Sequence, residues 1–356
     1  MRTADFDYEL PPERIAQEPL PDRAGARLLV LERVSGTILH RAVRELAELL
    51  SPGDLLVLND TRVLPARLFG RRATGGRVEV LLLHRQEPAT DGPGQGWVAL
   101  VRPARRVRAG EALDLIPRSG GEPVADPPRV RILELLGEGQ VRVSLEPGST
   151  GDVRTVLTTC GQIPLPPYIH TPLADPERYQ TVYARHEGAV AAPTAGLHLT
   201  PELLAGLAER GIARACLTLH VGLGTFRPVA AEDPREHRMH AEWLEIPPAT
   251  AEAVARTRRQ GGRVVAVGTT VVRALESRAA DDGTVRPGGG WTELYLLPGS
   301  RFRAVDALFT NFHLPRSTLL MLVAAFAGRE RILEAYREAV AREYRFFSFG
   351  DAMLIL

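Results

Sequence analysis

The sequence predicts an α/β protein with a mainly parallel sheet, flanking helices and an inserted small antiparallel β-barrel. After about residue 150, strand and helix patterns alternate along the chain, which is typical of α/β domains. The continuous apolar run Leu55–Leu58 indicates a strand buried on both faces, as in a parallel sheet. Between Arg67 and Thr150, short alternating segments are separated by clusters of Gly, Pro and Asp, a spacing that favours a small barrel.

These patterns divide the chain into two domains, in keeping with its 356 residues. We expect residues 1–65 and 150–356 to form one discontinuous α/β domain, with residues 66–149 inserted as the barrel.

Individual elements have their own local signals. One helix is predicted to begin at Pro201, because Thr200 is a favourable N-cap, and to end at Gly211. Thr269 or Thr270 is the expected N-cap of another helix. The predicted helices are 42–50, 201–210, 249–262, 271–279, 317–328 and 329–343. The predicted strands are 28–32, 54–60, 77–84, 96–103, 111–117, 129–136, 140–146, 213–221, 263–267, 293–297 and 307–310.

The composition, 44% hydrophobic and 24% charged, excludes a disordered chain, a collagen and a coiled coil. The longest apolar run, Leu319–Ala327, is about half the length of a membrane span, and acids stand near the N-terminus where a signal peptide would be apolar. A cytoplasmic protein without a membrane partner is therefore expected. The two cysteines, Cys160 and Cys216, are too few for a disulfide framework or a thiolate zinc site.

All 44 basic residues are arginine. The absence of lysine excludes a Schiff-base lysine, a pyridoxal phosphate anchor and a P-loop lysine. The net charge of +1 does not by itself indicate nucleic acid.

Candidate ligand-binding residues follow the predicted strands. In an open α/β sheet, ligands bind beyond the carboxyl ends of the strands, where loops and helix N-termini present backbone N–H groups. The residues at these positions are Asn59, Asp60, Thr61 and Arg62; Gly222, Gly224, Thr225 and Arg227; Thr269 and Thr270; and Asn311 and His313. Their side chains favour a nucleoside-sized or anion-binding site.

Two local sequence signals, one in the segment HVGLGTFR and one at Arg273, have more than one interpretation. The segment HVGLGTFR is a dinucleotide loop, a loop that lets a ligand approach the backbone closely, or a structural turn; Arg227 stands where a third glycine would be. Arg273 lies in the first turn of a predicted helix, where a cation opposes the helix dipole by about 0.3–1 kcal/mol. Either an anionic ligand group or an acid such as Glu276 should compensate.

Three histidines, His198, His220 and His313, are flanked by apolar or small residues near predicted strand ends. Such a histidine is commonly a hydrogen-bonded structural group, but three that converge would form an acid–base set. The spacing of His237 and His240 suits one helical face and so permits a metal site, although no H-E-x-x-H motif accompanies it. We expect no metal.

The predicted barrel carries a basic run between Arg102 and Arg108, with four arginines in seven residues. This run fits contact with RNA phosphates and equally fits an ordinary solvated loop.

A series of blocks spans almost the whole chain: DFDYELPPERIAQEP, LLVLNDTRVLPARL, IPLPPYI, ERYQTVYA, GAVAAPTAGLHLT, LTLHVGLGTFRPV, MHAEW, VVAVGTTVVRALE, DALFTNFHLPRSTLLMLVAAFAGRE and YRFFSFGDAMLIL. Through these blocks the chain resembles the S-adenosylmethionine:tRNA ribosyltransferase-isomerase family of the queuosine pathway. The stretch from about 70 to 150 matches only loosely.

The resemblance implies transfer and isomerisation of the ribosyl group of S-adenosylmethionine onto 7-aminomethyl-7-deazaguanine at the tRNA wobble position. Epoxyqueuosine would form, with release of adenine and methionine. It implies no cofactor, since S-adenosylmethionine is consumed as a substrate. The implied partners are that nucleoside and the tRNA carrying the modified base, and we expect a monomer.

The matched blocks suggest roles for individual residues. His198 and His220 are candidate acid–base groups, and Asp60 is a candidate for a ribosyl hydroxyl or the substrate amine. Thr269, Thr270 and Arg273 are candidates for the methionine carboxylate or a phosphate, and Asn311 and His313 for adenine or the target base. The other candidate substrate-binding residues are Asn59, Thr61, Arg62, Thr194, Gly222, Gly224, Thr225 and Arg227, and the candidate RNA-binding residues are Arg105, Arg106 and Arg316.

Two other functions are compatible with the residues alone. A methyltransferase acting on RNA would release S-adenosylhomocysteine instead of adenine and methionine. A non-catalytic tRNA-binding module would consume no S-adenosylmethionine.

Overall fold

The computed structural model describes residues 1–86, 95–118, 126–222 and 229–356. The strands are β1 Arg27–Leu31, β2 Ile38–Ala42, β3 Leu55–Asn59, β4 Thr61–Val63, β5 Arg67–Arg71, β6 Arg77–Arg85, β7 Gln95–Arg102, β8 Ala112–Leu115, β9 Arg129–Gly137, β10 Gln140–Glu146, β11 His186–Ala189, β12 Ala213–Leu219, β13 Glu242–Ile246, β14 Val264–Val267, β15 Gly288–Thr292, β16 Ala307–Asn311 and β17 Ala352–Ile355. The α-helices are α1 Leu46–Leu49, α2 Val153–Cys160, α3 Pro201–Glu209, α4 Pro248–Arg259, α5 Thr269–Arg278, α6 Thr318–Ala327 and α7 Arg329–Ala341. Within the described ranges, no helix is long and apolar enough to cross a membrane.

The chain forms two compact units. The first comprises Met1–Thr61, Pro166–His186 and Ala192–Leu356, and the second comprises Arg62–Leu165 and Glu187–Ala191. The predicted barrel insertion, residues 66–149, falls within the second unit, and the predicted domain boundaries themselves stay a prediction.

The first unit contains a nine-stranded sheet in the order β15-β13-β12-β3-β14-β16-β17-β1-β2. The neighbours β12, β3, β14 and β16 run parallel, so their carboxyl ends lie at one edge, while antiparallel pairs occur toward both sides. Every position of β3, β14, β16 and β17 is buried. The predicted fold class, α/β with an added antiparallel barrel, is confirmed.

Helices cover the central strands on both faces. On one face a cluster of buried side chains joins the sheet to α3: Leu56, Leu58, Val265, Val267, Phe309, Leu203, Leu204 and Leu207. Because successive strand residues face opposite sides, the other face is left to α4 and α5, which contact β3, β12 and β14. The helices therefore leave the carboxyl ends of the parallel strands as the place where loops collect.

The second unit contains a closed barrel in the order β10-β7-β6-β5-β8-β9. One of its strands, β5, is absent from the predicted segments because RLFGR is short and shows no regular alternation. Gly70 in β5 has a packing reason: a Cβ there would lie 2.8 Å from the Cβ of Leu113 on β8. The glycine permits this close approach of the two strands.

Two of the predicted helix starts are wrong. The predicted helix 42–50 begins instead with the end of β2 and a 3₁₀ turn, Val43–Glu45, because the Glu45 carboxylate accepts from the backbone N–H of Ala42 at 2.6 Å. The N-cap of α5 is Gly268, with φ 94°, so Thr269 and Thr270 lie in the first turn. The positive φ, which glycine adopts without strain, lets β14 pass directly into the helix.

The predicted strand 293–297 is not a strand; the strand in this region is β15, three residues of which are glycine. The carbonyl of Leu294 accepts a hydrogen bond from Arg273 Nε at 3.0 Å, and its N–H donates to Thr292 Oγ1 at 3.2 Å. Side chains thus take the backbone groups that a strand would use in pairing. The glycines of β15 pair with β13 through the backbone alone, which side-chain patterns do not reveal.

The N-cap of α3 is as predicted, since Thr200 Oγ1 accepts from the backbone N–H of Leu203 at 3.2 Å. We expect Thr200→Ala to lower the free energy of unfolding by about 1 kcal/mol, because the cap would be lost. Urea unfolding measures the change, with Thr158→Ala on the exposed face of α2 as the matched control, expected within about 0.5 kcal/mol of the parent. Equal effects of the two substitutions would contradict the capping role.

Candidate active site

A cavity lies in the first unit at the carboxyl ends of β14 and β16. Its lining is rich in hydroxyl groups, contributed by Thr194, Thr269, Thr270, Thr310, Ser317, Ser348 and Tyr168. Asn311 and His313 also line it, as do Phe312 and Phe347. Among these lining residues only His313 is able to carry a charge at moderate pH, so hydrogen bonds and dipoles define the cavity.

Two helix N-termini line the cavity. The first turn of α5 contributes Thr269 and Thr270, and the start of α6 contributes its N-cap Ser317. Ser317 Oγ accepts from the backbone N–H of Leu320 at 3.1 Å, which fixes the beginning of α6. Helix N-termini carry unpaired N–H groups and the positive end of the dipole, so two of them at one cavity favour an anionic group.

An aromatic wall lies beside these helix starts. The rings of Tyr168 and Phe347 are 4.9 Å apart between centroids, and Tyr168 Oη is 2.7 Å from Ser348 Oγ. Burial raises the pKa of Tyr168 to about 12, so the hydroxyl stays protonated near neutral pH. Sequence reasoning assigned no role to Tyr168, Phe347 or Ser348. The available signal was their position in the blocks IPLPPYI and YRFFSFGDAMLIL, which carry the resemblance.

Asn311 joins three segments at the cavity. Its Oδ1 accepts from Thr194 Oγ1 at 3.2 Å, and its Nδ2 donates to the Phe347 carbonyl at 3.2 Å and to His198 Nε2 at 3.1 Å. His198 is 6% exposed, and burial lowers its pKa to about 4. His198 is therefore a neutral ring behind Asn311 and does not line the cavity among the described residues.

His313 lies at the cavity with its ring held by Thr310, whose Oγ1 is 3.1 Å from His313 Nε2. Burial lowers the pKa of His313 to about 3, so this ring is also neutral at physiological pH. Its backbone is fixed as well, because its carbonyl accepts from Tyr8 Oη at 2.6 Å.

A second polar group surrounds His220 at the end of β12. His220 Nδ1 is 2.8 Å from Thr61 Oγ1, and burial, with a smaller effect of His186, lowers the pKa of His220 to about 4. Asp60 Oδ1 accepts from Thr218 Oγ1 at 2.7 Å, and its Oδ2 lies 3.7 Å from His186 Nε2.

Asn59 ties the end of β3 to the end of β12. Its Oδ1 accepts from the backbone N–H of Leu219 at 3.0 Å, and its Nδ2 donates to the carbonyl of the same residue at 2.9 Å. In the described part of the chain, Asn59, Asp60, Thr61, His220 and Gly222 do not line the cavity, although Val221 does.

The positive charge of Arg273 is compensated by an acid inside the protein. Its Nη1 forms a short contact with the Glu242 carboxylate, and the two side chains are 3% and 4% exposed. Glu242 Oε1 also accepts from the backbone N–H of Gly222 at 2.9 Å. Glu276, the acid named above, instead accepts three backbone N–H groups from residues 303–305.

The remaining candidate residues lie elsewhere. Gly224, Thr225 and Arg227 are outside the described residues. Arg62 belongs to the second unit, as do Arg105 and Arg106, which are exposed in the 3₁₀ turn Ala104–Arg106. Arg316, in the first unit, is exposed and forms an ion pair with Asp7.

His237 and His240 do not lie on one helical face, because residues 237–241 are not helical; His237 follows the 3₁₀ turn Pro234–Glu236. Within the residues that the structure describes, no group of three or more His, Cys, Asp or Glu side chains is arranged to hold a metal ion.

Comparison with known proteins identifies the family. A family model described as "Queuosine biosynthesis protein" matches residues 3–355. The chain is 54% identical over 359 residues to an S-adenosylmethionine:tRNA ribosyltransferase-isomerase of Symbiobacterium thermophilum and 55% identical over 357 residues to that of Moorella thermoacetica, each covering 100% of both chains. It is also similar to the crystal structure of S-adenosylmethionine tRNA ribosyltransferase from Thermotoga maritima, with 41% identity, a TM-score of 0.56 and coverage of 99% and 100% of the two chains.

The chain is therefore similar in fold to a crystallised tRNA ribosyltransferase over almost its whole length. The chain belongs to the queuosine biosynthesis protein family.

The three neutral histidines make stability depend on pH. Burial depresses the folded-state pKa of His198, His220 and His313, whereas the unfolded chain takes up protons below about pH 6.5. Between about pH 6.5 and 4 the unfolded state binds more protons, so we expect the free energy of unfolding to fall as the pH decreases through this window. Urea unfolding across the window measures the slope.

His198→Asn should flatten this slope whatever its effect on absolute stability. His240→Asn, which removes an exposed histidine, should leave it as in the parent. A slope in His198→Asn equal to that of the parent would contradict a buried neutral His198.

Proposed function

We propose that this chain is an S-adenosylmethionine:tRNA ribosyltransferase-isomerase. It transfers and isomerises the ribosyl group of S-adenosylmethionine onto 7-aminomethyl-7-deazaguanine at the wobble position of tRNA, giving epoxyqueuosine and releasing adenine and methionine. Similarity to relatives of that name over the whole chain supports the reaction. The structural observation that carries it is the cavity where two helix N-termini meet an aromatic wall.

S-adenosylmethionine combines a carboxylate, a sulfonium and an adenine, and the cavity has a matching feature for each. The N-termini of α5 and α6 suit the carboxylate. The rings of Tyr168 and Phe347 suit the sulfonium, because aromatic faces attract cations, and adenine, because they stack on it. We therefore place this nucleoside in the cavity, with Thr269 and Thr270 at its carboxylate.

The chemistry needs one group that removes a proton. The sulfonium acidifies the neighbouring C5′ protons, so a base of ordinary strength starts the opening of the ribose. Adenine then leaves with a proton from a general acid, the substrate amine bonds to the opened sugar, and methionine departs as the epoxide closes. Neutral histidines have a lone pair available at pH 7. We propose His220 Nε2 as the proton acceptor, because Nδ1 of that ring is engaged by Thr61 and because the next residue, Val221, lines the cavity although His220 itself does not. His198 acts on the substrate through Asn311, with which its Nε2 is bonded.

The other residues serve binding and positioning. We propose that Asp60 accepts the substrate amine and that Asn311 and His313 contact adenine or the target base. Arg273 acts through Glu242, which holds the backbone at Gly222. Arg105 and Arg106 are proposed RNA contacts because they are exposed. Arg316 is a further proposed RNA contact, in which an RNA phosphate replaces Asp7 as the partner of its guanidinium. The enzyme acts as a cytoplasmic monomer without a cofactor.

Product analysis tests the reaction. Incubation with S-adenosylmethionine should release adenine and methionine only when tRNA bearing the aminomethyl-deazaguanine is present. Chromatography distinguishes this outcome from methyl transfer, which would give S-adenosylhomocysteine and contradict the proposal.

His220→Ala should lower turnover about 100-fold or more, since a general acid–base group is lost.

His198→Ala should lower turnover as well, because Asn311 would lose a partner. His240→Ala is the matched control and should retain parental turnover. Near-parental turnover of both His198→Ala and His220→Ala, in folded protein, would contradict the assigned histidine roles.

A further inference from the structure

Three aromatic residues occupy neighbouring positions at one edge of the large sheet. Trp243 on β13 is paired with Trp291 on β15, and the backbone N–H of His220, just beyond β12, donates to the Trp243 carbonyl at 2.9 Å. Residues directly opposite each other on antiparallel strands point to the same face. The His220 ring stacks on Trp243 with centroids 5.3 Å apart and planes 19° from parallel. The row His220–Trp243–Trp291 is called the aromatic row below.

The outer end of the aromatic row is open to solvent. β15 is the outermost strand on this side of the sheet, and Trp291 is 60% exposed. The residues before it, Gly288–Gly290, have no side chains to cover the rings. A Cβ at Gly289 would lie 3.4 Å from Trp243 Cζ2, so the Trp243 indole lies over the glycine backbone. The sequence of three glycines and a tryptophan thus places an exposed indole on an edge strand.

The inner end of the aromatic row reaches the candidate active site. His220 is bonded to Thr61, and the next residue, Val221, lines the cavity. The aromatic row therefore begins one residue from the cavity lining.

The charges around Trp291 are mixed. Arg278 donates to the Gly289 carbonyl and so places a cation beside β15, while the exposed Glu245 is paired with Gly289 from β13. Mixed charge suits a partner that is held by ring stacking more than by attraction of its phosphates. In the same unit, the exposed apolar residues Val34 and Leu39 belong to the β1–β2 side, at the opposite edge of the sheet. Trp291 therefore does not join Val34 and Leu39 in one exposed apolar surface.

We propose that Trp291 stacks an unpaired nucleobase of the tRNA anticodon loop that flanks the base being modified. This inference rests on the proposed function, which brings a single-stranded RNA loop to the cavity. Every base has a π-face, so an exposed indole binds loop nucleotides without regard to sequence, and RNA-binding proteins use aromatic side chains in this way.

Binding measurements with Trp291→Ala test the inference. The dissociation constant for tRNA should rise about 5- to 150-fold, the range that corresponds to about 1–3 kcal/mol of stacking for one base. Trp291→Phe should recover most of the loss, because a ring is restored. The dissociation constant for S-adenosylmethionine should not change. Val34→Ala, a change at an exposed site on the opposite sheet edge, should leave tRNA binding as in the parent.

The salt dependence separates stacking from phosphate contact. In Trp291→Ala the slope of log affinity against log salt should equal that of the parent, whereas the double variant Arg105→Ala/Arg106→Ala should have a shallower slope.

Several results would overturn the inference. They are unchanged tRNA affinity in Trp291→Ala, an equal loss of S-adenosylmethionine affinity, no recovery in Trp291→Phe, or loss of self-association with tRNA affinity intact, which would identify a protein contact. The parent's tRNA-dependent adenine release is measured alongside. If the parent releases adenine and Trp291→Ala binds tRNA normally, only this inference fails; if the parent releases none, the proposed function fails and this inference with it.

Discussion

The positive ends of two helices meet at one cavity, and the rest of the site depends on this arrangement. It follows from the parallel pairing of β3, β14 and β16, which brings their carboxyl ends to one edge. Gly268 then turns β14 directly into α5, and Ser317 caps α6 close by. Because backbone dipoles already supply positive potential, the neighbouring side chains can be neutral hydroxyls and rings that orient a ligand. We propose that a carboxylate joined to a sulfonium and an aromatic base fits such a cavity better than a simple phosphate does.

Two asparagines at strand ends hold the surrounding segments in place. Asn59 bonds to both backbone groups of Leu219, and Asn311 bonds to Thr194, His198 and Phe347. Buried amides of this kind are costly when one partner is removed, since the remaining donors and acceptors lose their compensation. The buried pair Glu242–Arg273 acts similarly at Gly222, because a carboxylate left alone in that position would be strongly destabilising. The polar network therefore fixes the loops while leaving the cavity itself uncharged.

Much of this arrangement follows from local sequence rules, and the remainder depends on distant contacts. Thr269, Thr270, Asn311 and His313 are predicted at the site because they follow buried strands, and each lines the cavity. Tyr168 and Ser348 are not, since they come from segments without periodicity that are 180 residues apart. The partner of Arg273 is equally nonlocal: Glu242 lies 31 positions away, whereas the locally spaced Glu276 caps a loop. β15 escapes prediction because three glycines pair through their backbone, and the aromatic row becomes visible only once β13 and β15 are placed side by side.

The placement of the substrate carboxylate is tested most directly by equilibrium binding of S-adenosylmethionine and of its decarboxylated analogue to the unaltered protein. The two ligands share the adenosine and the sulfonium and differ only in the group assigned to the N-termini of α5 and α6. Charge-assisted hydrogen bonds contribute about 1.5–3 kcal/mol, so S-adenosylmethionine should bind at least about tenfold more tightly. Equal dissociation constants for the two ligands would contradict the central role of the helix N-termini.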